Sequence, residues 1–312
     1  MTEARIEWIA RDPASVRVLE VARKVAETTT TILITGESGT GKDLLARLIH
    51  ELSQRRDAPF LKIDCASLPQ ELVESELFGH ERGAFTGAVE RKLGRLELAR
   101  GGTIVLDEVA ALAASAQSKL LRVLEERSFE RLGGTETLRI DARLIALTNA
   151  DLSRLVAAGR FRDDLFFRLN VLPIAVPPLR ERRADILPLA EHLLARLAGV
   201  HGRPGAKLAP EVQHLLEAYA WPGNIRELKN AIERALVFAK EPTLRPEDFP
   251  ESIRAAVAAP HTPPGLRSLE DVEKDIIQAT LEATHYKIGR SAEILGISRK
   301  TLLDKRKKYG LQ

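Results

Sequence analysis

The feature that most constrains this chain is the glycine-rich stretch Gly36–Asp43, which reads GESGTGKD. It follows a short β-branched run, Thr31–Ile34, and precedes Leu44–Leu52, whose apolar residues recur at helical spacing. Strand, glycine-rich loop and helix is the order that a phosphate-binding loop requires, because loop N–H groups and the helix N-terminus bind phosphate oxygens. Lys42 can reach the terminal phosphates. Asp43 stands where the general pattern has a Ser or Thr ligand for Mg²⁺, and its carboxylate is also a hard oxygen ligand.

Composition places the chain among soluble globular proteins of two or three domains. Its 312 residues are 44% hydrophobic and 29% charged, which excludes a largely disordered chain. No stretch reaches the roughly 18 consecutive apolar residues of a membrane helix, and the charged N-terminus has no secretory pattern. We therefore expect no membrane partner. The single cysteine, Cys65, excludes an intramolecular disulfide and predicts a reducing, cytoplasmic location.

Short apolar runs alternate with amphipathic segments over the first part of the chain, which predicts a parallel α/β sheet. The predicted strands are Thr31–Ile34, Pro59–Ile63, Gly101–Glu108, Arg143–Leu147 and Leu172–Val176. Ligands bind at the carboxyl ends of such strands. Asp107 is therefore expected on the Mg²⁺ side of the loop, and Glu108 can accept a proton from an attacking water. Thr148 and Asn149 can orient water or contact a phosphate, or can simply form a turn.

The pattern from Ile186 to Ile253 is helical, with a break before Asn224. We predict that Asn224 is the N-cap of a helix that places Arg226 in its first turn. A cation is unfavourable there, so Arg226 either meets a ligand phosphate or points into solvent. The Ala- and Pro-rich stretch Arg254–Gly265 predicts a domain boundary.

The C-terminal segment is basic. From His285 onward the chain has eight Lys or Arg and two Asp or Glu, a net charge of +6 against −3 for the remainder. Two short predicted helices, Ile288–Leu295 and Ser298–Tyr309, are joined at Gly296 with helix-turn-helix spacing. The alternative is a merely solvated basic terminus. The side chains expected to contact DNA are Ser298, Arg299, Lys300, Thr301 and Lys305.

The segment Glu76–Ala88 places a large aromatic residue, Phe85, among glycines and other small residues. It is either a surface loop with Phe85 packed onto the body or an exposed apolar tip for a partner protein. The residues alone leave both readings open.

Gly83–Ala88 resembles the GAFTGA loop of the sigma-54-dependent bacterial transcription activators, which are AAA+ ATPases. The resemblance spans Asp12–Gln312. It includes the segments Gly36–Asp43, Glu74–Ala88, Gly101–Glu108, Phe161–Asn170, Pro177–Ile186, Trp221–Leu228 and the tail. It implies an AAA+ α/β nucleotide-binding subdomain at 1–181, a helical lid at 182–253, a linker at 254–266 and an all-α Fis-type helix-turn-helix domain at 267–312.

The resemblance also implies roles for single residues. Lys42 resembles the Walker A lysine, Asp107 the Walker B acid and Glu108 the water-activating glutamate. Arg162 and Arg168 resemble arginines that reach the γ-phosphate in a neighbouring subunit, where they neutralise transition-state charge. The residues implied to bind ATP and Mg²⁺ are Gly36, Glu37, Ser38, Gly39, Thr40, Gly41, Lys42, Asp43, Asp107, Thr148 and Asn149 (sensor I) and Arg226 (sensor II), with Asp43 and Asp107 on the metal. The residues implied to contact sigma-54 are Gly83, Ala84, Phe85, Thr86, Gly87 and Ala88.

Asp64 departs from the family pattern, because relatives more often have an Asn that hydrogen-bonds the catalytic glutamate as a switch. If Asp64 faces Glu108, the two carboxylates either share a proton or separate. We hypothesise that this alters the coupling of hydrolysis to partner engagement. The match begins almost at once, so a separate regulatory protein or a truncated chain is expected in place of an N-terminal sensing domain.

These implications predict an activator that binds double-stranded upstream DNA and works as a ring, usually a hexamer. ATP hydrolysis would remodel the closed complex of sigma-54 RNA polymerase holoenzyme. One alternative is a DNA-binding regulator that uses ATP only for assembly, against which the intact Phe85-Thr86 pair argues. Another is an AAA+ chaperone, which the helix-turn-helix tail disfavours.

Overall fold

The computed structural model describes residues 8–258, 269–284 and 286–310. The chain divides into two compact units, Met1–Ala256 and Val257–Gln312. Within the described residues, no helix is both long enough and apolar enough to span a bilayer.

The first unit contains the sheet and most of the helices. Its helices are α1 (Pro13–Ala26), α2 (Lys42–Glu51), α3 (Gln70–Phe78), α4 (Arg95–Leu98), α5 (Ala114–Glu126), α6 (Leu152–Ala157), α7 (Asp163–Leu169), α8 (Ile186–Val200), α9 (Pro210–Ala218), α10 (Asn224–Phe238) and α11 (Glu251–Ala258). Its strands are β1 (Ile32–Thr35), β2 (Phe60–Asp64), β3 (Gly79–His80), β4 (Lys92–Leu93), β5 (Thr103–Asp107), β6 (Ser128–Glu130), β7 (Thr137–Arg139), β8 (Arg143–Thr148), β9 (Leu172–Ala175), β10 (Lys207–Leu208) and β11 (Thr243–Leu244).

Five of these strands form a parallel sheet in the order β2-β5-β8-β1-β9. The sheet is covered on both faces, as parallel sheets usually are. Along β1, Leu33 packs in one hydrophobic core while Ile32 and Ile34 pack in the other, because successive side chains of a strand point to opposite faces. The predicted parallel α/β sheet is confirmed, and each predicted strand ends within a few residues of the observed one.

Helices α8 to α11 form a lid with its own core, centred on the fully buried Trp221. The region is not helical throughout as predicted, because β10 and β11 pair in parallel within it. α11 runs to Ala258, so residues 254–258 of the predicted linker are helical. Residues 259–266 of that linker lie outside the described part of the chain.

The second unit consists of α12 (Leu269–Ala283), α13 (Ile288–Ile294) and α14 (Arg299–Tyr309). Ile277, Leu281, Ala292 and Leu302 form its core. The Oγ of Ser298 accepts a hydrogen bond from the N–H of Thr301 and caps α14. The predicted helix-turn-helix is therefore confirmed, while residues 267, 268, 285, 311 and 312 lie outside the described residues.

Candidate nucleotide-binding site

The glycine-rich loop lies between β1 and α2, at the carboxyl edge of the sheet. Gly41 is the N-cap of α2 and has φ of +102°, a left-handed conformation that glycine adopts without strain. Lys42 is buried, and its Nζ donates to the carbonyl oxygens of Gly36 (2.8 Å) and Glu37 (3.1 Å). Burial lowers the pKa of Lys42, and the nearby carboxylates of Glu108 and Asp107 oppose that shift. The lysine therefore lies at the centre of the loop, among the acids predicted to act with it.

Glu108 follows β5 in a left-handed conformation, with φ of +51° and ψ of +52°. This backbone costs a non-glycine residue about 1 kcal/mol or more, and such strain is concentrated at functional sites. Its Oε2 accepts a hydrogen bond from the N–H of Asn149 at 3.1 Å. Thr148 is buried, and its Oγ1 accepts from the N–H of Ala150. The N–H of Asn149, directly after β8, thus holds the carboxylate of Glu108 in place.

Two carboxylates in the site converge on one cation. The Nζ of Lys62 lies 2.5 Å from Oδ1 of Asp43 and 2.7 Å from Oδ2 of Asp107. Desolvation lowers the pKa of Lys62, but the two carboxylates outweigh it and raise the pKa above its ordinary value. The sequence analysis missed Lys62, because nothing in its spacing connects it to the loop.

The same two carboxylates are the predicted metal ligands. Within the described residues, no group of three or more His, Cys, Asp and Glu side chains is placed to hold a metal ion. A divalent ion shared by Asp43 and Asp107 would therefore take its other ligands from phosphates and water, as Mg²⁺ commonly does. The donor set fits Mg²⁺ delivered with a nucleotide.

The carboxylates of Asp64 and Glu108 bind different parts of the chain. Oδ1 of Asp64 accepts from the N–H groups of Ala66 (3.0 Å) and Ser67 (3.2 Å), whereas Glu108 accepts from Asn149. Each of the two carboxylates is thus held by main-chain N–H groups of its own.

The turn before α10 brings the lid to the glycine-rich loop. The predicted N-cap at Asn224 is wrong: Gly223 occupies the N-cap position, and Asn224 is the first helical residue, with φ of +53°. The side chain of Asn224 instead bonds to residues outside its helix. Arg226 lies beside the loop, and its Nη1 donates to Oγ of Ser38 at 2.7 Å.

An ion pair that the sequence did not reveal joins the same loop to the lid connection. The guanidinium of Arg180 donates to both carboxylate oxygens of Glu37, at 2.9 and 2.6 Å. The hydrogen bonds from Arg180 and then Asn224 lower the pKa of Glu37 to about 2. The side chain of Glu37 is thus directed to the lid.

A cleft of about 570 Å³ opens between the loop and the lid. Its apolar wall consists of Trp8, Ile9, Leu44, Leu189, Leu193 and Ile225. Its polar part includes Ser38, Gly39, Gly41, Lys42, Asp43, Asp107, Glu108, Arg182, His192, Arg196, Arg226 and Lys229. An apolar wall beside a cationic, N–H-rich loop suits a ligand with a flat base and a phosphate chain.

The two arginines predicted to act in a neighbouring subunit do not line this cleft in the described residues. Arg162 pairs with Asp164 and also donates to Oγ of Ser118. Arg168 pairs with Glu125. Both arginines are therefore held on the surface formed by α5 and α7.

The loop containing Gly83–Ala88 rises from the antiparallel pair of β3 and β4. It is closed by a hydrogen bond from the N–H of Gly83 to the carbonyl oxygen of Ala88. Phe85 is 40% exposed, and its ring packs edge-on against His80 at 4.9 Å. One part of the Phe85 ring thus packs against the body, and the rest is exposed to solvent. Both interpretations of this residue therefore hold in part.

The stem of this loop is fixed by Arg131, which follows β6 and is buried. Its guanidinium binds the carboxylates of Glu81, Glu97 and Glu136 at 2.9 Å. These hydrogen bonds, led by those from Glu97, raise the pKa of Arg131. The sequence analysis did not identify this network, since Arg131 and Glu81 are 50 residues apart.

In the second unit, Arg299 and Lys300 are exposed at the start of α14, as a DNA-contacting surface requires. Lys305 differs, because its Nζ lies 2.5 Å from Oε1 of Glu273. The other carboxylate oxygen of Glu273, Oε2, accepts from the hydroxyl of Tyr309. A phosphate contact by Lys305 would compete with this ion pair.

Fold and site together define a P-loop ATPase. The glycine-rich loop follows the central parallel strand β1 and contains a buried lysine, two acids lie at the carboxyl end of β5, and an arginine comes from the helical lid. The family model described as "Sigma-54 interaction domain" matches residues 8–175. The models "AAA+ ATPase lid domain" and "Bacterial regulatory protein, Fis family" match residues 180–264 and 268–309. The chain belongs to the family of sigma-54-dependent regulators, whose central domain is an AAA+ ATPase, and carries a Fis-type DNA-binding domain.

Known relatives match nearly the whole chain. It is 46% identical over 311 residues to the regulatory protein AtoC of Escherichia coli, covering 97% of this chain and 68% of AtoC. It is 44% identical to the nitrogen fixation protein VnfA of Azotobacter vinelandii, covering 97% of this chain and 59% of VnfA. The crystal structure of NtrX from Brucella abortus in complex with ATP is similar with a TM-score of 0.73 and 37% identity, over 98% of this chain and 69% of NtrX. The chain thus spans roughly three fifths to two thirds of the two sequence relatives.

Proposed function

We propose that this protein binds double-stranded DNA through α14 and uses ATP hydrolysis, in a ring of several copies, to remodel a closed complex of sigma-54 RNA polymerase. The loop Gly83–Ala88 would make the contact with sigma-54. The observation that carries the proposal is the half-exposed Phe85 on a loop closed at its base and fixed by Arg131. Such a loop presents an apolar tip while its stem stays attached to the ATPase body.

The residues of the site divide the work of hydrolysis. Lys42 binds the terminal phosphates, and Arg226 lies beside the loop to sense them. Glu108 accepts the proton of the attacking water, while Asn149 holds its carboxylate. Asp43 and Asp107 would hold Mg²⁺, which supplies charge neutralisation on the phosphates when bound.

The need for a ring is supported by the position of Arg162 and Arg168. They lie outside the cleft of their own chain, so they can complete only the cleft of another copy. A trans arginine contributes on the order of 10³-fold or more to phosphoryl transfer. Arg162 and Arg168 would first have to exchange the carboxylates of Asp164 and Glu125 for the phosphate of the neighbour. The ring that we propose is a hexamer in the bacterial cytoplasm, with a separate regulatory protein as a further partner.

Substitution in the loop tests this function. We expect Thr86→Ala to lower formation of open promoter complexes by about tenfold or more, while ATP turnover and DNA binding persist. The measurement combines ATP turnover, DNA retention and open-complex footprinting with sigma-54 RNA polymerase.

The matched control is Val89→Ala, which removes an apolar side chain that is 74% exposed just beyond the loop. It should leave open-complex formation unchanged. If Thr86→Ala activates as well as the wild-type chain, the alternative holds, namely a DNA-binding regulator that uses ATP for assembly only.

A further inference from the structure

The outward-facing carbonyl groups of the glycine-rich loop are covered by donors from the lid and its connection. The carbonyl oxygen of Ser38 accepts from Nδ2 of Asn224 at 3.1 Å. That of Gly39 accepts from the N–H of Ile225 at 3.0 Å, and that of Thr40 accepts from Nη2 of Arg182 at 2.6 Å. A loop that turns its N–H groups toward phosphate must satisfy its carbonyls elsewhere. Here three successive carbonyls are satisfied from the lid side.

The side chain of Asn224 makes three hydrogen bonds, two of them to the glycine-rich loop. It is fully buried, and its Oδ1 accepts from the N–H of Leu179 at 2.7 Å. Its Nδ2 donates to the carbonyl oxygen of Ser38 and to Oε2 of Glu37, both at 3.1 Å. The acceptor and both donor hydrogens of the amide are thus used. The left-handed backbone of Asn224 is also one that Asn tolerates better than most residues.

The approach of the lid turn to the loop is close enough to require glycine. A Cβ at Gly39 would lie 2.5 Å from the carbonyl oxygen of Gly223 and 3.0 Å from Cβ of Arg226. The φ of Gly39 is +79°, which also favours glycine. Gly39 is therefore needed for contact with the lid turn as well as for phosphate binding.

We propose that Asn224 is a positioning residue for nucleotide binding, which acts by fixing the main chain of the glycine-rich loop. The amide holds Glu37 and Ser38 so that the loop's N–H groups are already oriented when the phosphates arrive. It also ties the loop to the turn that carries Arg226, so the loop and this turn move together. Displacing the turn removes donors from Ser38 and Gly39, which weakens nucleotide binding. This inference rests on the cleft being the ATP site.

Asn224→Asp removes the hydrogen-bond donor, Nδ2, and so tests the donor separately from the rest of the side chain. The substitution keeps the size, the tolerance of a left-handed backbone and the acceptor for Leu179. It replaces the donor with a carboxylate oxygen that faces the carboxylate of Glu37 and the carbonyl of Ser38. We expect the Kd for ADP to rise by about thirtyfold, because two hydrogen bonds are lost and repulsion is added. ADP binding to the full chain is measured by calorimetry, with far-UV circular dichroism and thermal unfolding as checks of the fold.

Glu37→Gln provides the rescue. In the Glu37→Gln, Asn224→Asp double variant, the new amide can donate to the new carboxylate while its oxygen still accepts from Arg180. We expect the double variant to bind ADP within about threefold of Glu37→Gln alone. The double variant has no facing carboxylates, so it remains testable if Asn224→Asp alone does not fold.

The matched control is Asn230→Asp, which makes the same chemical change at an exposed position of α10. It should leave ADP affinity unchanged. Unchanged ADP affinity in Asn224→Asp would overturn the inference. It would also be overturned if the increase in Kd for the double variant equalled the product of the increases for the two single variants. Failure of the wild-type chain to bind ADP would instead refute the assignment of the cleft.

Discussion

Asp185 is the buried carboxylate whose removal should destabilise the first unit most clearly. It is fully buried and accepts hydrogen bonds from the N–H groups of Arg11 (2.6 Å) and Asp12 (2.8 Å) and from the hydroxyl of Ser15. It also lies near the buried guanidinium of Arg182, whose pKa is lowered by burial and raised by Asp185. One carboxylate therefore anchors the segment before α1 and offsets a buried charge.

The magnitude follows from what Asp185→Ala leaves behind. Two backbone N–H groups lose a charged acceptor, at about 1 to 3 kcal/mol each, and Arg182 keeps a buried charge with less compensation. We expect a loss of about 4 kcal/mol, or a fall of about 10 °C in unfolding temperature for a unit of this size. Asp185→Asn keeps an acceptor for both N–H groups and should lose about 1 to 2 kcal/mol. Ser15→Ala should lose about 1 kcal/mol.

Scanning calorimetry of the nucleotide-free chain measures all three variants. The expected order of destabilisation is Asp185→Ala, then Asp185→Asn, then Ser15→Ala. A wild-type unfolding temperature for Asp185→Ala would refute the reasoning. Equal losses for Asp185→Ala and Asp185→Asn would show that the charge matters and the hydrogen bonds do not.

Two further predictions concern acidic groups beside the loop. Arg180 and Asn224 lower the pKa of Glu37 from 4.5 to about 2, so its contribution to stability is present above about pH 4.5 and is lost as the pH falls toward 2. After allowance for the solvent exposure of Glu37, we expect Glu37→Gln to be about 1 kcal/mol less stable than the wild-type chain at pH 7. Thermal unfolding below pH 4 should show a smaller difference in stability. A difference that does not change with pH would contradict this. Asp64→Asn keeps an acceptor for Ala66 and Ser67, so stability should change by less than about 0.5 kcal/mol, while ATP turnover and sigma-54 binding across pH should differ from the wild-type chain. Identical profiles would exclude a switch role for Asp64.

The sheet and the position of the two acids after β5 could be predicted because their signals are local. β-Branched runs predicted the strands, and the carboxyl end of β5 placed Asp107 and Glu108 at the ligand edge. The start of the last helix near Ser298 was predicted for the same reason, since its cap depends on Thr301, three residues away. Asn224 shows where local reasoning failed, since an Asn before a helix usually caps it, yet here the tertiary contacts of the side chain prevailed.

The sequence by itself determined that a phosphate loop, two acids and a DNA-binding helix pair occur in one chain, because each is specified by residue types at short, fixed spacing. The tertiary structure decided how they are held together. Asn224 and Glu37 are separated by 187 positions, and Arg180 and Glu37 by 143. Lys62 of β2 likewise meets Asp107 because β2 and β5 are neighbours in the sheet. Contacts of this kind depend on which strands and helices become neighbours on folding, and spacing along the chain carries no record of that choice.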